Sequence, residues 1–228
     1  MNPYLSTFLN LVLPYIVVFT FLLVSISRYL FRPFTYSSLS SQFLENRLHF
    51  WAIVPFHYGI IFVLLGHFAA FLLPRGVLLW NSVPLRLYAL EITGLMFGIM
   101  AVVGLIGAIV RRATTPQLRT VTTPLDCLMF ALLLSQLLTG IAVAVLHPWG
   151  SSWFAAAMSP YLWSFLTFHP NTDFVTGLPL LVQTHIVNAW LLLLVFPFSR
   201  LAHVLVAPNP YLWRRPQVVR WYSAPSAK

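Results

Sequence analysis

Two apolar segments, each carrying a pair of histidines, constrain this chain more than any other feature. One runs Phe56-His57-Tyr58-Gly59-Ile60-Ile61-Phe62-Val63-Leu64-Leu65-Gly66-His67-Phe68. The other carries Gln183-Thr184-His185 and, beyond a run of leucines, Phe196-Pro197-Phe198-Ser199-Arg200-Leu201-Ala202-His203. Both read as membrane spans, where an imidazole is costly unless it has a partner. Two spans with two histidines each suggest a shared partner that takes one ligand from each helix. Haem iron accepts two axial imidazoles, and its porphyrin is at home between apolar helices. Zinc also takes imidazole, but a buried all-histidine zinc site would need more than two ligands at one depth. A haem-free transporter or channel, its histidines relaying protons or holding a metal ion, is the reading from another functional class.

Composition supports the membrane. Of 228 residues, 59% are hydrophobic and 7% charged, and the mean hydropathy is +0.83; soluble domains run near ~25% charged. Spans are expected at residues 8–30, 49–73, 87–110, 124–146 and 179–206. The expected fold is all-α: an integral membrane five-helix bundle filling residues 1–206, followed by a basic tail at 207–228. Residues 1–10 lack a basic n-region and the following apolar run is long enough to span, so an uncleaved first span is expected. Gly94, Gly98, Gly104 and Gly107 in the third span would let helices, or a helix and a porphyrin, approach closely. The single cysteine, Cys127, allows neither an intrachain disulfide nor a C-x-x-C-H attachment, so any haem is held by ligands and packing.

The formal charge of +9 could suggest nucleic acid, but the basic residues lie at span ends. With the N-terminus outside, eleven of the thirteen Lys and Arg residues fall on the inner side, leaving only Arg75 and Arg86 outside. That positive-inside bias predicts an outer N-terminus and a cytoplasmic tail containing Arg214, Arg215 and Arg220. The orientation pairs the histidines by depth: His57 with His203 near the inner face, His67 with His185 near the outer. At ~1.5 Å per residue the spacings are roughly 15 Å in the second span and roughly 27 Å in the fifth. Tilt, and a kink at Pro197, would absorb the difference. On a continuous helix, His185 and His203 share one face. A long outer loop, rich in Pro, Gly, Ser and Trp and free of Lys and Arg, is expected at residues 147–178 between the fourth and fifth spans; His49, His147 and His169, at span edges or in that loop, read as interfacial residues. Asp126, in the first turn of the fourth span, reads as a cap, and Glu91 as a proton exit or a cap.

The chain resembles the gamma subunit of membrane-bound respiratory nitrate reductase. The likeness runs through Pro14-Tyr15, Arg28-Tyr29, Ser40-Ser41-Gln42, His57 to His67, Arg111-Arg112, Thr122-Thr123, Thr167-Phe168-His169 and Phe196 to His203. The resemblance implies two b-type haems, bound by His57 with His203 and by His67 with His185. It implies an iron–sulfur (beta) subunit and a molybdopterin catalytic (alpha) subunit as partners, the latter reducing nitrate to nitrite, and residence in the inner (plasma) membrane. Quinol would bind beside the outer haem near Gly66 and deliver electrons outer haem first. A family lysine linked to quinol binding has Leu87 in its place here, with Arg86 adjacent to take the polar role. Arg200, one turn before His203, and Arg111 with Arg112 are placed to meet haem propionates or to serve as snorkelling anchors. A cytochrome b subunit of a related molybdoenzyme complex, acting on chlorate, selenate, nitrite or sulfur compounds, shares all these features, because the terminal substrate never touches the anchor.

Overall fold

The computed structural model describes residues 2–32 and 49–206. The loop with Ser40-Ser41-Gln42 and Arg47, and the basic tail at 207–228, lie outside the described residues. Among the described residues five helices are long and apolar enough to cross a membrane: Tyr4–Phe31, His49–Leu72, Pro84–Thr114, Pro124–Leu146 and Leu180–Phe198, spans one to five below. The described residues are otherwise short helices and connections, without strands. Side chains such as Leu23, Leu65, Phe68, Met96, Val103 and Val145 are more than half exposed. Lipid, not a protein core, is the solvent for that surface.

Local sequence explains the ends. Span one absorbs Pro14 behind a π-helical turn, Phe8–Val12, which relieves the ladder where proline lacks its N–H. Span three starts at Pro84 and ends after Arg111 and Arg112. Pro124 opens span four behind a capping box: Thr123 accepts from Asp126 N, and Asp126 accepts from Thr123 N. The cap expected of Asp126 is therefore present.

Span two lies against span three, three against four, four against five, and five against one. The closest approach is between spans two and three. A Cβ added to Gly59 would lie 2.6 Å from Phe97 O and Ala101 N. One added to Gly104 would lie 2.7 Å from Phe56 Cα and 2.8 Å from Ala52 O. Of the four expected glycines, Gly104 and Gly107 serve this contact, Gly98 faces Ile141 of span four, and Gly94 faces open space. Spans two and five share almost no contact.

Two expectations need correction. The connection between spans four and five, expected as a long outer loop, is largely helical: Gly150–Trp153, Phe154–Met158 and Ser159–Leu166 run on without a break. Its apolar side, with Met158, Tyr161 and Phe165, builds a core with Val143, Val175, Val182 and Ile186, which its Ser and Gly content concealed. Polar bonds seat it: Ser159 Oγ donates to Ala70 O at 2.7 Å, Trp163 Nε1 to Phe71 O at 3.0 Å, and Tyr161 OH to Asn10 O at 2.8 Å. Burial pushes the Tyr161 phenol up, so it stays a donor. Second, residues 179–206 are not one helix. The α-helix stops at Val195, a 3₁₀ turn covers Phe196–Phe198, Ser199 is extended, and a second 3₁₀ segment carries Arg200–Val206. Pro197 does mark the site, but the result is an interruption rather than a kink, so the shared face of His185 and His203 does not follow from helical spacing.

Candidate haem and quinol sites

The four histidines divide between the two ends of the bundle. His57 lies in the first half of span two, and His203 lies beyond the break in span five. His67 lies near the far end of span two and His185 near the start of span five. His67 and His185 are within electrostatic reach of each other.

Three of these rings share one arrangement. His57 Nδ1 is 2.8 Å from Ile53 O, His67 Nδ1 is 2.8 Å from Val63 O, and His203 Nδ1 is 2.7 Å from Arg200 O. A carbonyl can only accept, so each Nδ1 carries the proton and donates it, leaving Nε2 as a bare lone pair. Nε2 of these three takes no hydrogen bond among the described residues. Metal-bound histidines are held in this way, the second nitrogen fixing tautomer and ring direction. His185 differs. Its Nδ1 is 2.9 Å from Thr139 Oγ1 and its Nε2 is 3.1 Å from Gln136 Nε2. Gln136 is tied in turn to Asn188, whose Nδ2 donates to Gln136 Oε1 at 2.7 Å and to Leu132 O at 3.0 Å. Ligation there would exchange the Gln136 amide for iron.

Among the described residues no three His, Cys, Asp or Glu side chains converge on one point. Any metal ligation by these histidines would be by pairs, from span two and from the stretch that carries His185 and His203. Spans two and five stand apart, and an added Cβ at Gly66 or Gly94 meets nothing within 4 Å. Bare Nε2 lone pairs on separated apolar helices fit a bis-imidazole porphyrin.

At the His57 end Asp126 gathers two arginines. Arg112 Nη1 reaches its Oδ2 at 3.2 Å and Arg200 Nε its Oδ1 at 3.0 Å. Arg200 Nη2 also donates to Val121 O at 2.8 Å, and Arg111 is buried. Sequence reasoning placed all three arginines at this end but missed that Asp126 joins spans three, four and five. At the His67 end, the Phe154 ring stands edge-on to His67 at 5.1 Å. Arg86 lies over the Trp80 ring at 5.2 Å. Glu91 Oε1 accepts from Ser151 N at 2.8 Å and Ser151 Oγ at 2.6 Å, anchoring the helical cap. Gln136, Thr139 and Asn188 were also missed; polar residues inside otherwise apolar spans were the available signal.

Residues 6–222 match the family model described as nitrate reductase gamma subunit. The chain belongs to the nitrate reductase gamma subunit family. It is 31% identical over 226 residues to the respiratory nitrate reductase 2 gamma chain of Escherichia coli, covering 96% of this chain and 99% of that protein. It is also 31% identical over 212 residues to the nitrate reductase gamma chain of Bacillus subtilis, covering 92% and 95%. A nitrate reductase-like protein of Mycobacterium tuberculosis, NarX, is 28% identical over 208 residues, which make up 32% of that longer protein. As a gamma subunit, the chain is a membrane component of an oxidoreductase complex.

Proposed function

We propose that the chain is the membrane anchor and quinol-oxidising di-haem cytochrome b subunit of a respiratory nitrate reductase. It would sit in the plasma membrane with its N-terminus outside and its tail in the cytoplasm. One observation carries the reading: His57, His67 and His203 each give Nδ1–H to a carbonyl and hold Nε2 bare, on spans that share almost no contact. His57 with His203 would hold one haem b, and His67 with His185 the other. Bound there, the pair supplies one-electron redox chemistry at two depths of the membrane.

The chain's own residues set the conditions. The carbonyls of Ile53, Val63 and Arg200 keep the proton on Nδ1 and raise the basicity of Nε2. Gly66, open and beside His67, and the exposed Arg86 mark the end where quinol would bind and release its protons. Arg111, Arg112 and Arg200, the latter two shared with Asp126, would supply the positive charge that propionates need. Electrons leaving at the inner end would pass to an iron–sulfur subunit and then to a molybdopterin subunit, where nitrate is reduced. Separating charge in this way stores ~2.3 kcal/mol per charge per 100 mV.

A reduced-minus-oxidised absorption spectrum of the purified complex tests the reading. A b-type α band with two haems per chain, and co-purification of iron–sulfur and molybdenum subunits, are expected. A featureless spectrum refutes it and favours a histidine-containing transporter. A different catalytic subunit in the complex would keep the cytochrome and replace nitrate.

A further inference from the structure

We propose that Thr139 is a positioning residue for His185: its hydroxyl holds the ring in the tautomer that offers Nε2 to iron, and thereby tunes the haem at that level. The inference rests on the di-haem reading above.

The bonds around His185 have one consistent set of directions, anchored at both ends by backbone carbonyls. Asn188 Nδ2 donates to Leu132 O, which orients its amide, and donates also to Gln136 Oε1. Gln136 therefore turns its NH₂ group, a donor, towards the imidazole. Nε2 of His185 has to accept, so the ring proton resides on Nδ1. At the other end Thr139 Oγ1 spends its own proton on Ser135 O at 2.7 Å. Its lone pairs are left to receive Nδ1–H at 2.9 Å. Gly140 gives the ring its room, since a Cβ there would lie 3.0 Å from His185 Cε1.

The other three histidines lean on carbonyls of their own helices, which no side-chain substitution removes. At His185 the acceptor is a side chain on a neighbouring span. Nε2 has a single lone pair, so binding to iron releases Gln136 and leaves Thr139 in place. An acceptor on Nδ1–H makes the imidazole a stronger donor to iron and favours the ferric state. Removing it raises the potential.

Redox titration of the α band in the purified complex tests this. Thr139→Val, matched in shape but lacking the acceptor, should raise the potential of one b-type component and leave the other unchanged. A tenfold change in its reduced-to-oxidised ratio corresponds to about 59 mV. The component that moves should be the one absent from His185→Ala, and Thr139→Ser should keep the wild-type value. Unchanged potentials in the valine variant, or equal shifts in valine and serine variants, overturn the proposal. Should the valine variant assemble without that haem, the serine variant decides: retention at the wild-type potential upholds the role of the hydroxyl, and loss in both overturns it. A wild-type complex with no b-type component would sink the di-haem reading instead.

Discussion

Replacing Gly104 by alanine puts the packing of spans two and three to a quantitative test. The added Cβ would run into Phe56 N and lie 2.7 Å from Phe56 Cα, and ordinary contact begins at 3.4 Å, so span two has to retreat by more than about 0.7 Å. The obstructing atoms are backbone, and no rotamer change relieves them. Overpacking of this kind costs about 1–3 kcal/mol. Alanine's better helix propensity returns up to ~1 kcal/mol. Gly98→Ala, on the same span, has the same propensity gain, but its nearest neighbour is Ile141 Cγ1 at an ordinary 3.6 Å. The difference between the two variants isolates the steric cost, about 2 kcal/mol, or roughly 4–8 °C in melting temperature. Circular dichroism of the detergent-purified complex reads it. Haem content should fall with it in Gly104→Ala, because Phe56 adjoins His57. A Gly104→Ala protein that melts with or above Gly98→Ala would show that the close approach of these spans does not limit stability.

His67→Ala should abolish quinol oxidation and remove one of two haems, leaving the other; both haems retained with full turnover would refute the pairing. Asp126→Asn keeps one capping oxygen but strips Arg112 and Arg200 of their counter-charge, so it should destabilise by about 1–3 kcal/mol in thermal melts. Gly140→Ala, whose Cβ would crowd His185 Cε1 at 3.0 Å, should shift the low-spin EPR signal of one haem only; an unaltered spectrum would mean the ring tolerates the methyl group.

Much of the fold was legible because a membrane leaves a chain few choices. Spans two and four fall within a residue of their expected limits, since hydropathy marks where backbone must bond to itself. Span three runs longer than its apolar stretch because Pro84 starts a helix ahead of the hydrocarbon and Arg111 and Arg112 can extend beyond it. The cap over residues 150–166 was concealed: its Ser and Gly content resembles loop, and only the spacing of Met158, Tyr161 and Phe165 betrays a buried face. The four candidate histidines were legible as residues in costly places. The tautomers of His57, His67 and His203 were not, because the carbonyls that select them belong to the helix and leave no trace in composition. The network of Gln136, Thr139 and Asn188 depends on which faces of spans four and five meet, which no local pattern states.

The interruption at Phe196–Ser199 frees the two rings of span five from a common azimuth. On an unbroken rod, one inserted or deleted residue between His185 and His203 would swing one of them by about 100° against the other. Here His185 is registered by its grip on span four, and His203 follows a short segment pinned through Arg200 to Asp126 and Val121 O, with Arg28 of span one donating to Pro197 O between them. Each level takes its bearing from different neighbours, so the stretch joining them can change in length or composition without misaiming either imidazole.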